Sequence, residues 1–217
     1  GGGGGGGGGG GEGGGGRGEG GGGGGGGEGG GLGLSEVLKA MPCSFFILCM
    51  CLRKHDFSNN FVFRPGGTQV AALTFGTDVE IHFNLGDFEN NAMEKAKRKI
   101  KKINQPGGGT ATRAALDTVR NVIAPMTRKS AQKVLFFITD GHSNIGGSPE
   151  KAAKKLRKQY DFQIYAIGVG KKPKLRELRS IASVPANEDE EYVISVKNFK
   201  DFEKAIEKAK VIKIGMY

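Results

Sequence analysis

The chain has 217 residues, 41 of them Gly, and a formal net charge of +10. Of those Gly, 28 fall in residues 1–33, so a low-complexity head precedes a body of ordinary composition and single-domain length. Gly follows no three-residue period with Pro, which excludes collagen, and no run reaches the ~20 apolar residues that span a bilayer.

In the head, Glu12, Glu19 and Glu28 oppose Arg17, so the head is at −2 and the body carries +12. Residues 1–33 cannot bury apolar area, and the composition predicts a disordered tail. The chain starts with Gly, which reads as part of a longer sequence. Residues 34–60 form an unplaced apolar, Cys-rich segment. Its run Phe45–Leu52 is too short to cross a membrane and suits one buried strand. It reads poorly against the orderly body, as misassembled sequence would. Cys43, Cys49 and Cys51 all lie here. An odd number without a later partner is no disulfide framework, so they are expected to be unspecialised thiols.

From residue 61 onward the body alternates strands and helices. Pro65-Gly66-Gly67 is a turn. Gln69–Phe75 and Val79–Leu85 are strands, joined by Gly76-Thr77-Asp78 as a hairpin. Asn90–Ile103 has helical spacing, with Met93, Ala96, Ile100 and Ile103 on one face. Gly107-Gly108-Gly109 stops it, and Thr112–Ile123 is the next helix. Lys133–Thr139 is an apolar strand that ends in Asp140-Gly141. Ser148 caps a helix entered at Pro149 and running to about Tyr160. Phe162–Val169 is a strand, Lys174–Ser183 a helix and Tyr192–Val196 a strand. A closing helix is expected from Asn198 to about Lys210. Fully apolar strands between amphipathic helices predict an α/β fold with a doubly wound, mainly parallel sheet covered on both faces.

In such folds ligands bind beyond the carboxyl ends of the strands. Two features point there. Asp140 follows the most apolar strand and can ligate a hard cation. The loop Gly107-Gly108-Gly109-Thr110-Ala111-Thr112 opens a helix and offers N–H groups and hydroxyls. Singly, each also reads as an ordinary turn or helix cap.

Together, with the segments Pro65–Phe75, Gly107–Leu116, Lys133–Asn144 and Ile164–Gly170 in order, the body resembles a von Willebrand factor type A (vWA) domain of the extracellular type over about residues 61–210. The resemblance implies a three-layer Rossmann-like fold, truncated here at its first strand and helix. It implies a protein-binding or adhesion role outside the cell, with no catalysis. It also implies a metal-ion-dependent adhesion site for Mg²⁺ or Mn²⁺. By motif match Thr110 and Asp140 are its metal ligands, and Gly109, Thr112, Gly141, His142 and Ser143 line the ligand-binding edge. A partner's carboxylate would complete the metal shell.

The D-x-S-x-S loop of that site is absent. Were Phe45–Leu52 the first strand, Cys49-Met50-Cys51-Leu52-Arg53 would stand where hydroxyls and a carboxylate belong. Asp56-Phe57-Ser58-Asn59-Asn60 is rich in oxygen but leaves no room for a first helix before Gly66. With two of five expected ligands, weak or no metal binding is expected. The alternative is a metal-independent domain whose basic surface takes an acidic glycan or protein. The clusters Lys95–Lys102, Lys151–Lys158 and Lys171–Arg179 supply that charge, though plain solvated helix faces also account for them. No aromatics interleave with them as single-strand nucleic-acid binding needs, so no nucleic-acid partner is expected. No complete dinucleotide fingerprint and no nucleophile–base pair supports an enzyme.

Overall fold

A computed structural model describes residues 1–3, 5, 46–52, 67–88, 92–104, 106–170, 174–185, 192–198 and 201. Nearly all of the Gly-rich head, the stretch Asp56–Asn60 and most of the expected closing helix lie outside these residues.

Six strands form one sheet in the order β3-β2-β1-β4-β5-β6. They are β1 (Phe46–Leu52), β2 (Gln69–Phe75), β3 (Val79–Phe83), β4 (Gln132–Thr139), β5 (Phe162–Val169) and β6 (Val193–Val196). The helices are α1 (Ala92–Ile100), α2 (Thr112–Thr118), α3 (Glu150–Gln159) and α4 (Leu175–Ile181). Past Thr118, α2 loosens into a π turn at Val119–Ile123 and a 3₁₀ turn at Ala124–Met126, where the sequence predicts regular helix to Ile123.

β4 carries Val134–Thr139 fully buried and β5 carries Ile164–Val169 likewise. A strand buried at every position is covered on both faces, so alternation is lost and a continuous apolar run results. Phe75 stacks on Phe137, and Phe136 on Tyr165, each pair with centroids 5.3 Å apart. On one face α2 packs against α3 and α3 against α4, with α2 reaching β2 and β3 and α4 reaching β5 and β6.

β4–β5 and β5–β6 pair in parallel. β1 is antiparallel to both β2 and β4, so β2 and β4 run the same way. Four of the six strands thus share a direction, and β1 and β3 oppose it. The expected doubly wound Rossmann-like plan holds as a mixed sheet.

The segment that the sequence does not place therefore supplies the strand between β2 and β4. Its Phe46, Ile47 and Leu48 are fully buried. Arg128 ties its far end down, donating from Nη2 to Cys51 O (3.0 Å) and Gly67 O (2.6 Å).

Candidate functional site

Phe46 pairs with Thr74 and Ile138, while Cys51 pairs with Gln69 and Lys133. The start of β1 therefore shares an edge with the ends of β2 and β4, and Cys51 and Leu52 lie at the opposite edge. The conditional reading in which Phe45–Leu52, as a first strand, would bring Cys49, Met50, Cys51 and Leu52 to the metal loop's position does not apply to these residues. β1 enters the sheet in the opposite sense, and its carboxyl end never reaches the edge that bears Asp140.

At that edge three loops meet. The hairpin Gly76-Thr77-Asp78 holds the glycine-rich loop from one side. Thr77 Oγ1 accepts the Gly109 N–H (3.0 Å), and Gly76 O accepts the Ala111 N–H (2.8 Å). The loop after β4 holds it from the other side. Asn144 Oδ1 accepts the Thr110 N–H (2.7 Å). Thr110 O in turn accepts from Asn144 N (3.2 Å), Ile145 N (3.4 Å) and Ser143 Oγ (3.4 Å). Thr110 is thus held through both of its backbone polar groups by the segment that follows Asp140. The loops need glycine. A Cβ on Gly109 would sit 2.2 Å from Ile145 Cδ1, and one on Gly76 would sit 2.5 Å from Gly107 O.

The sequence-derived site residues take unequal places. Thr110 is buried at 5% exposure, while Asp140 and His142 are exposed. Thr139 Oγ1 bonds both the N–H and the carbonyl of Gly141 at 3.2 Å, which fixes the turn just after Asp140. Ser143 N donates to Glu177 Oε1 of α4 (2.9 Å). Thr112 is fully buried, with no hydrogen-bond partner for its hydroxyl, so it presents no surface to a partner protein. Thr77, Asn144 and Glu177 carry no motif signal. They lie 32 to 34 residues from the groups they bind, and only the fold brings them in.

Hard divalent cations take several oxygen donors. Thr110 and Asp140 are oxygen-bearing, and Asn144 Oδ1 is already engaged by the Thr110 N–H. Among the described residues, no three His, Cys, Asp or Glu side chains gather to hold an ion. The residues described at this edge do not amount to a full cation shell.

The model of the von Willebrand factor type A domain matches residues 55–208. The chain belongs to this family. The mouse sushi, von Willebrand factor type A, EGF and pentraxin domain-containing protein 1 is 31% identical over 63% of this chain and 4% of its own length. Human matrilin-1 is 32% identical over 64% of this chain and 28% of its own. The chain thus spans a small part of these curated relatives. A solved structure of proximal thread matrix protein 1 from the mussel byssus, described as having a zinc-occupied MIDAS motif, superposes with a TM-score of 0.61 at 33% identity. That match covers 74% of this chain and 38% of the mussel protein. Manganese-loaded TRAP protein of Plasmodium vivax shares the fold, with a TM-score of 0.52 at 19% identity, over 81% of this chain and 63% of its own. Among the described residues, no helix is long and apolar enough to cross a membrane.

Proposed function

We propose that this vWA domain is a non-catalytic, extracellular protein-binding module. Its binding edge is the junction of the Gly109–Thr110 loop with Asp140–Ser143. The observation that carries this reading is the double backbone grip on Thr110 by Ser143, Asn144 and Ile145, which joins the two motif loops into one surface. Gly109, Gly141, His142 and Ser143 would contact a protein partner that presents a carboxylate. Relatives with zinc- or manganese-bearing structures support a divalent cation, Mg²⁺ or Mn²⁺, as the family's means of holding such a partner. Here Thr110 and Asp140 are the two residues that would contribute to it.

A second reading is a metal-independent interaction domain for an acidic glycan or protein. What favours it is that the loops are cross-linked by the protein's own hydrogen bonds, through Thr77, Gly76 and Asn144. Such an edge keeps its shape without an ion.

Calorimetric titration with Mg²⁺ and Mn²⁺ separates the two. With so few ligands, binding is expected to be no tighter than roughly millimolar. Micromolar, stoichiometric binding that Asp140→Ala abolishes would establish a complete metal site and sink the second reading.

A further inference from the structure

The basic residues of α3 and α4 are not scattered. On α3, Lys151, Lys154, Lys155 and Lys158 are all exposed, while Ala152, Ala153 and Leu156 are buried. The spacing i, i+3, i+4, i+7 puts the four lysines on one stripe, about 10 Å long at ~1.5 Å of rise per residue. On α4, Arg176 and Arg179 are exposed at i, i+3 opposite buried Leu178 and Ile181, and Lys174 precedes them at the surface. Against these seven cations the two helices carry Glu150 and Glu177, and Glu177 is engaged with Ser143 N. Among the described residues, none of the seven forms an ion pair. By contrast, Arg113 and Arg120 on the neighbouring α2 stretch both pair with Asp117.

The two stripes are also fixed relative to each other. Arg157 Nη1 donates to the carbonyls of Ser180 (3.2 Å), Ile181 and Ala182 (3.0 Å) at the end of α4. This guanidinium staples α3 to α4 and satisfies carbonyls that the helix end leaves open. Two exposed basic stripes thus sit on neighbouring helices that are held together at one end.

We propose that this α3–α4 face docks a sulfated glycosaminoglycan. The inference builds on the metal-independent reading and gives its basic surface a place and a partner. A linear chain of sulfates complements two rows of point charges on flexible stems and does not ask for a groove. Neither helix contains an aromatic residue, so the stacking platform of single-strand nucleic-acid binders is missing. The face lies along the bodies of the helices: Lys155 and Lys158 belong to the second half of α3, and Arg179 to the last turn of α4, just past Glu177, which bonds Ser143.

The test is calorimetric titration of the full chain with a size-defined heparin oligosaccharide, its desulfated counterpart and duplex DNA, at low and physiological salt. The heparin fragment is expected to bind, to weaken as salt rises, and to bind far better than the desulfated fragment. The triple variant Lys155→Glu, Lys158→Glu, Arg179→Glu is expected to lose affinity by more than ~tenfold. Its glutamine counterpart, which introduces no repulsion, should lose affinity in the same direction while melting like the parent. Lys97→Glu on α1, combined with Lys101→Glu just past its end, should leave binding nearly intact, as should Asp140→Ala. No heparin binding, equal affinity for DNA, or an equal loss in the α1 pair would overturn the proposal. A loss confined to Asp140→Ala would assign the glycan to the loop edge instead and overturn the α3–α4 assignment alone.

Discussion

Gly76 and Gly109 set the limits on what the edge tolerates. At Gly76 a methyl group would meet the backbone carbonyl of Gly107 at 2.5 Å and Pro106 Cβ at 3.0 Å. Backbone cannot step aside as a flexible side chain can, so Gly76→Ala should destabilise the fold by about 1–3 kcal/mol in denaturant melts. It should also speed hydrogen exchange at Ala111, whose N–H depends on Gly76 O. His82 gives a pH signature. Its Nε2 lies 2.8 Å from Thr74 Oγ1, and burial holds its pKa below the ordinary value, with Lys99 adding to the shift and Glu80 opposing it. The unfolded chain therefore takes up a proton before the folded one does. Stability from this group is full above the unfolded pKa near ~6.5 and is lost as pH falls through the folded value. His82→Gln should flatten that part of the stability–pH curve, and an unchanged slope would show that other groups set it. Cys49 and Cys51 are buried in β1, and burial alone pushes the Cys49 thiol far above its ordinary range. A thiol reagent should reach them only on unfolding, whereas prompt labelling of either in the native state would mean that β1 is not seated.

At the scale of elements, β1 is the piece on which the sheet depends. It links the β3–β2 hairpin to the parallel half, and its removal would leave the edges of β2 and β4 unpaired. Leu48→Ala, at a fully buried position, should cost about 2–5 kcal/mol. Arg128→Met should mainly release the β1 end, seen as faster exchange at Cys51 and Gln69 with the strands β4 and β5 still protected. The periodicity of the body gave β2, β4 and β5 almost to the residue and the bounds of α3 and α4 to within one or two residues, because each has the apolar pattern of its own type. Direction is different. A strand that is apolar throughout looks the same read from either end, so Phe46–Leu52 could be seen as a strand but not as one that opposes β4. The π turn at Val119–Ile123 was equally hidden, since Val119 and Ile123 keep helical spacing whether the turn is α or π.

For the whole molecule, strand direction links fold to function. The loops carrying Thr110 and Asp140 were legible because they are local motifs at the ends of recognisable elements. Their clamps at Thr77, Asn144 and Glu177 were not, because each acts across more than thirty residues of sequence. In a vWA domain the loop that completes the metal shell follows the first strand, and a β1 that runs backwards delivers Phe46 to that edge instead. On the proposed reading, that reversal would leave Thr110 and Asp140 without a first-strand loop as co-ligands at this edge. Inter-strand nuclear Overhauser contacts measure it directly. The expected pattern puts Phe46 beside Thr74 and Ile138, and Cys51 beside Gln69 and Lys133. Contacts from Cys51 to Ile138 and from Phe46 to Lys133 would instead show a parallel β1, with its carboxyl end at the Asp140 edge, and would contradict this reading of the site.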